Sequence, residues 1–305
     1  MAALHERVQP TVSGEIISAL FGCVRNSGRR FHEGLDLAPV LPLKKGEAVD
    51  PVFSVMEGRV AHINETPGKS SYGRYVVIEH ENQRPAVYSL YAHLARVSPD
   101  LKQGEWIASG TELGTMGRSA GGYAIPRSRA HLHFEIGLRL SDDFQRWYDQ
   151  QDFGSANEHG NFNGMNLVGM DPVPVLMNSG NTSAVLGRIF QEIPVGAVFR
   201  VVTKQRPAII DRCPAMELPR GDVAELAGWE ITFSGWGLPL AFKALGKASL
   251  GPESDPGTVT LVALDPEVIG QYACRSLIDF SGGQPQPGTT AKTILSLLFQ
   301  SAPGS

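Results

Sequence analysis

Four residues of this chain are of types and spacings suited to chemistry. His32 and Asp36 lie in Phe31-His32-Glu33-Gly34-Leu35-Asp36, and His131 and His133 in His131-Leu132-His133-Phe134-Glu135. Both spacings are even. On an extended strand, evenly spaced side chains project from one face. Two such strands facing each other would bring two imidazoles, a carboxylate and a spare imidazole to one point. That donor set suits a catalytic zinc ion, which needs three N/O ligands, an open position for water and a base nearby.

The surrounding sequence must supply short strands to hold these residues, and from about Phe21 to Leu176 it reads that way. Val52–Met56 and Arg59–Ile63 are expected as strands on either side of Glu57-Gly58. Tyr75–His80 and Ala86–Tyr91 flank the polar turn Glu81-Asn82-Gln83-Arg84. Leu101–Ile107 and Gly110–Gly117 read as strand, turn and strand, with glycine where a positive φ is needed. A loop of small residues, Arg118 to Ala130, leads into His131. Ser141–Tyr148 is the best local helix, and Gly154–Gly164 reads as a long polar loop.

Length and composition set the outer bounds. With 305 residues the chain suggests two domains. Its 42% hydrophobic content supports ordinary globular cores, and its 34 glycines and 21 prolines favour an all-β protein rich in turns. A net charge of -4 gives no electrostatic case for nucleic acid as a partner. No apolar run reaches the ~18 residues of a transmembrane segment. The start, Met1-Ala2-Ala3-Leu4-His5-Glu6-Arg7, lacks the layout of a secretory signal. The protein is therefore either cytosolic or a chain from which a signal is missing.

The division expected is an N-terminal arm over 1–20, a first domain over 21–177, a linker over 178–183 and a second β-rich domain over 184–305. In the second domain Val198–Val202, Trp229–Phe233 and Val259–Leu264 read as strands, and Thr290–Phe299 as a terminal helix. It carries no catalytic constellation. Trp229, Phe233 and Trp236 are either a sugar-stacking platform or core. Cys213 and Cys274 are either a disulfide or two separate thiols, and no CxxC pair favours a thiolate metal site.

In its first domain the chain resembles the lysostaphin/LytM-type zinc metallopeptidases, which are peptidoglycan endopeptidases. The ordered pieces are His32-x-x-x-Asp36 continuing to Ala38-Pro39, Glu57-Gly58-Arg59-Val60, and Gly73-x-x-Val76-x-Ile78-x-His80. Tyr91-Ala92-His93-Leu94, the Gly104 and Gly110-to-Gly117 turns, His131-Leu132-His133-Phe134-Glu135 and a closing Asp171-Pro172 follow. The resemblance implies an antiparallel β-sheet domain of lysostaphin-like, duplicated hybrid motif type, with a β-rich accessory domain after it. It implies Zn2+ held by His32, Asp36 and His133, with His93 and His131 beside the open coordination position. Glu135 is either a partner orienting a ligand imidazole or a packed strand carboxylate.

Three departures concern substrate, one of them the insertion from Leu138 to Val168, which is not part of the short core. The loop before His131 is long, and Asn26 to Arg30 stand where such enzymes often carry a tyrosine. Cupins also use His-x-His, but their next ligand is a more distant glutamate, which Glu135 does not match. The implied function is zinc-dependent hydrolysis of the peptide cross-links of bacterial peptidoglycan, in the periplasm or outside the cell. The direct D-alanyl-diaminopimelate bond is preferred to a glycine bridge. The rival is a non-catalytic scaffold or activator of the same fold. Partners implied are peptidoglycan stem peptides, and the accessory domain is a candidate occupant of the cleft.

Overall fold

The structure is a computed structural model, described for residues 6–41, 43–178, 182–220, 223–250 and 255–299. The chain divides into two compact units: residues 1–138 with 169–185, and residues 139–168 with 186–305. The expected linker over 178–183 falls largely outside the described residues, although a helix begins at Thr182.

In the first unit, β1 (Gly22–Arg25) and β2 (Arg30–His32) form a hairpin. They are followed by β3 (Leu35–Leu37), β4 (Pro51–Phe53), β5 (Gly58–Asn64), β6 (Arg74–His80) and β7 (Val87–Leu94). Then come β8 (Arg96–Val97), β9 (Trp106–Ile107), β10 (Glu112–Thr115), β11 (Leu132–Arg139) and β12 (Leu167–Met170). The main sheet runs β12-β11-β7-β6-β5-β9, with β3 also paired to β11, and β4-β10-β8 form a smaller sheet. The pairings of β11 with β3 and β7, of β7 with β6 and of β6 with β5 are antiparallel.

Alternation of residue type builds this sheet. Val60, Val76, Ile78, Tyr91, Leu94 and Phe134 belong to one buried cluster with Leu113 and Met116. The β-branched and aromatic residues on β5, β6 and β7 favour a pleated, packed surface. β7 and β11 are buried at every position, so they lie at the centre of the sheet, and their polar residues must find partners inside the protein. His80 does so. Its Nδ1 donates to Glu57 O at 2.7 Å, and its Nε2 lies 2.7 Å from Ser89 Oγ.

The second unit has its own sheet, in the order β15-β14-β13-β16: β13 (Val195–Val201), β14 (Leu226–Ser234), β15 (Pro239–Gly246) and β16 (Val259–Leu264). β15 was not expected from sequence, because Pro239 and the glycines around it break the strand pattern. The pairings are antiparallel. Trp229, Phe199, Phe233 and Phe242 are fully buried, and Trp236 nearly so. The tryptophans and Phe233 are therefore core rather than an exposed sugar platform. The helix Phe144–Asp149 and the terminal helix Thr289–Phe299 belong to this unit, where Trp147 Nε1 donates to Ser296 Oγ at 2.8 Å. Cys213 is buried and outside any disulfide, so the pairing with Cys274 does not form. Among the described residues no helix is long and apolar enough to cross a membrane.

Candidate metal centre

The first ligand candidates are set by a break in the chain. The segment 31–36 was expected as one extended strand, with His32 and Asp36 on its face. Instead it bends at Glu33-Gly34, ending β2 and starting β3 in a different sheet. Gly34 is what permits the bend so close to β11. A Cβ there would sit 2.3 Å from Phe134 O, which no side chain tolerates. Asp36 then pairs directly with His133 across the β3–β11 ladder, and directly opposed residues share a face. His32 reaches the same point from the end of the hairpin.

Three donor atoms converge. His32 Nε2 lies 3.1 Å from His133 Nδ1 and 3.2 Å from Asp36 Oδ1, and His133 Nδ1 lies 2.9 Å from Asp36 Oδ1. The three residues are buried, and they form a cluster able to hold a metal ion. Tetrahedral bonds of about 2.0–2.2 Å place ligand atoms roughly 3.3 Å apart, so the donor set fits zinc after an expansion of a few tenths of an ångström.

The far nitrogen of each imidazole is also held. His32 Nδ1 donates to Leu20 O at 2.7 Å, and His133 Nε2 faces Glu135 Oε1 at 2.9 Å. Glu135 in turn accepts from Tyr72 Oη at 2.5 Å and Tyr88 Oη at 2.8 Å. Such outer hydrogen bonds fix ring orientation and raise the basicity of a metal-binding histidine. Glu135 is thus the orienting partner, not merely a packed carboxylate.

Charge follows this geometry. Burial alone would raise the Asp36 carboxyl, but hydrogen bonds from His133 and His32 hold it well below the usual carboxylate range. Burial would likewise lower His133, yet Asp36 and Glu135 on its two sides hold it at about 10. Without a divalent cation, His133 is an imidazolium between two carboxylates. Zinc can supply the positive charge in its place.

His93 and His131 lie alongside. Their ring centroids are 4.7 Å apart, edge to face, and His131 Nε2 is 3.7 Å from Asp36 Oδ2. His131 enters β11 two residues before His133, so the even spacing does put both rings on one side. His93 gets there differently. It sits near the end of β7 at φ +61°, a conformation uncommon for a residue with a side chain and concentrated at functional sites. Its Nδ1 donates to Ser119 O at 2.8 Å, and His131 Nδ1 donates to Arg129 O at 2.7 Å. Each Nε2 therefore carries the lone pair. Burial lowers both rings below the ordinary histidine value, His93 to about 3, so both are neutral near pH 7.

Ser119 is brought within reach of His93 by a second close approach. Gly73 has φ +65°, and a Cβ on it would lie 2.2 Å from Ser119 O. The loop before His131 continues into a cavity of about 430 Å³ lined by Glu47, Arg74, Arg118, Tyr123 and Ile125 among others. Arg118 bonds both carboxylate oxygens of Glu47 at 2.9 and 3.0 Å, and Arg127 Nε reaches Glu47 Oε1 at 2.8 Å, pinning this loop.

Sequence reasoning missed Arg25, whose guanidinium enters the cluster. It also left Tyr88 without a role, and named Tyr72 only as one of three tyrosines, with Tyr75 and Tyr123, able to supply a phenol. Nothing in the spacing of these residues marks them, since they arrive from separate strands and loops.

Residues 30–143 match the model of Peptidase family M23. Over those residues the chain is similar to that family. Among solved structures, the chain resembles the catalytic domain of lysostaphin from Staphylococcus simulans at 17% identity. That match covers 58% of this chain and 98% of that one, with a TM-score of 0.32. It resembles the catalytic domain of the prophage-encoded M23 protein EnpA from Enterococcus faecalis at 20% identity, covering 43% and 80%, with a TM-score of 0.31. It also resembles a zinc-containing peptidase from Vibrio cholerae at 27% identity, covering 43% of this chain and 35% of that one, with a TM-score of 0.30. No curated protein sequence matches the chain. The matched residues include all five site candidates, His32, Asp36, His93, His131 and His133.

Proposed function

We propose that the M23-like domain is a zinc-dependent endopeptidase that hydrolyses the peptide cross-links of bacterial peptidoglycan outside the cytoplasm. The observation that carries this reading is the convergence of His32 Nε2, Asp36 Oδ1 and His133 Nδ1, with each imidazole held from behind. Two neutral imidazoles beside that point support an enzyme over a scaffold of the same fold, because a scaffold needs neither.

In this reading His32, Asp36 and His133 hold the metal. Zinc bound there supplies Lewis acidity that makes water a better nucleophile and polarises a peptide carbonyl. His131 and His93 handle protons. With Nδ1 tied to a backbone carbonyl, each Nε2 is free to take a proton as water attacks and to return it to the leaving amine. The carbonyls of Ser119 and Arg129 keep both rings aimed while this happens. The 118–130 loop is the wall of the substrate cleft. The catalytic domain is assigned to 21–177, preceded by an arm over 1–20 and followed by a linker over 178–183 and an accessory domain over 184–305.

The test is mass spectrometry of purified sacculi incubated with the protein and with His131→Ala. Loss of cross-linked dimers with gain of monomers, absent in the variant, establishes the activity and names the bond. Zinc-loaded protein that leaves every cross-link intact overturns it.

A further inference from the structure

We propose that Arg25 is a resident cation of the metal centre, competing with zinc for Asp36 and His32 and so setting how tightly the metal is held. This rests on the reading of His32, Asp36 and His133 as the metal ligands. Arg25 Nη2 lies 2.5 Å from Asp36 Oδ2 and 2.8 Å from His32 Nε2. Those are two of the three residues whose donor atoms converge. A guanidinium nitrogen so placed occupies the His32 Nε2 lone pair that zinc would need, holds the second oxygen of the Asp36 carboxylate, and repels by its charge a divalent ion entering beside it. Arg25 and zinc therefore exclude each other from His32 Nε2 and share the charge of Asp36.

The local sequence explains why the side chain points inward. Arg25 ends β1 and stands opposite Arg30 on β2. Like charges directly opposed across a hairpin repel each other. Arg30 is exposed, whereas Arg25 turns toward the buried Asp36 carboxylate. The turn that joins them, through Asn26, Ser27 and Gly28, has positive φ at all three residues, and the pairing shifts register between Cys23 and Arg25.

The fit is good enough to hold the guanidinium in place, but not to lock it there. Arg25 Nε is buried without a hydrogen-bond partner, a cost that offsets part of the two favourable contacts. The side chain remains 22% exposed, so it has a path back to solvent. A cation held this way yields to zinc at sufficient concentration and returns when zinc is removed.

The experiment is zinc affinity by competition with a chromophoric chelator for the full chain, Arg25→Gln and Arg25→Ala. Melting temperatures are measured with and without zinc alongside. Removing the charged hydrogen bonds should tighten zinc binding roughly ten- to a hundred-fold. The variants should melt lower than the wild type in chelator and alike in zinc, so the zinc-induced rise in melting temperature grows. Equal or weaker zinc binding in both variants overturns the inference and makes Arg25 a support of the loaded site or of the hairpin alone. A merely structural role would lower the melting temperature equally in both conditions. If neither wild type nor variants bind zinc, the ligand assignment itself fails. Zinc binding by Arg25→Gln alone is the strongest form of the expected result.

Discussion

The two units bury their polar residues for different ends. In the first, His32, Asp36, His80, His93, His133 and Glu135 are all buried; four of them, His32, Asp36, His133 and Glu135, are joined by hydrogen bonds, and the His93 ring packs beside His133. In the second, the buried polar groups among the described residues are Arg139, Ser141, Asn166, Ser234 and Ser296, whose hydrogen bonds tie loops or cap turns. Its largest buried side chains are aromatic. Burying ionisable groups costs stability unless each finds a partner, so a cluster of them marks where a fold has given up stability for chemistry. One unit does this and the other does not.

The sharpest way to break that contrast is to remove a ligand. Asp36→Ala and His133→Ala should each drop zinc content from about one per chain to near zero, measured by elemental analysis after dialysis. Full retention in either would reassign the site. Next in size is His131→Ala, which should keep its zinc and lose hydrolysis by about 10²–10⁴-fold. If the metal is lost instead, His131 is a ligand and the roles within His131-x-His133 reverse.

The second unit answers to a different test. Trp229→Ala should destabilise the protein by about 3–5 kcal/mol in denaturant melts while zinc stoichiometry stays unchanged, because Trp229 fills the core of the second unit. Loss of zinc in that variant would erase the distinction between the units. His80 sharpens the contrast within the first unit, as a buried histidine that serves structure alone. Burial lowers it to about 4 against an ordinary 6.5. The unfolded chain therefore takes up the proton first as pH falls. The stability His80 contributes is full above pH 6.5 and is lost between there and pH 4, by about 3 kcal/mol. His80→Gln should flatten that part of the pH–stability curve relative to the wild type.

Legibility in the sequence followed the range of the interaction. β16 lies at Val259–Leu264 as expected, and β6 and β7 lie within a few residues of their expected places, because alternation and turn residues are local signals. Residues 138–168 were read as an insertion within the bounds of the first domain, and residues 139–168 cluster instead with residues 186–305. The contact that shows it, Trp147 with Ser296, spans 149 positions. No local pattern encodes such a contact.

The candidate site divides the same way. Residue types and even spacing were enough to single out His32, Asp36, His131 and His133, and ordered motifs added His93. His131 and His133 share a side because a strand repeats every two residues. The extended-strand argument expected His32 and Asp36 on one strand, whereas a bend at Gly34 separates them and brings them together by another geometry. Only the tertiary structure decided that Asp36 faces His133 across β3 and β11. It also placed Glu135, Tyr72 and Tyr88 behind His133, gave His93 a positive φ, and put Arg25 beside His32 and Asp36. The sequence by itself determined which groups can bind a metal, because that is a property of side-chain chemistry and strand period. Which groups surround and compete for that metal depends on register between distant strands, which no single segment specifies.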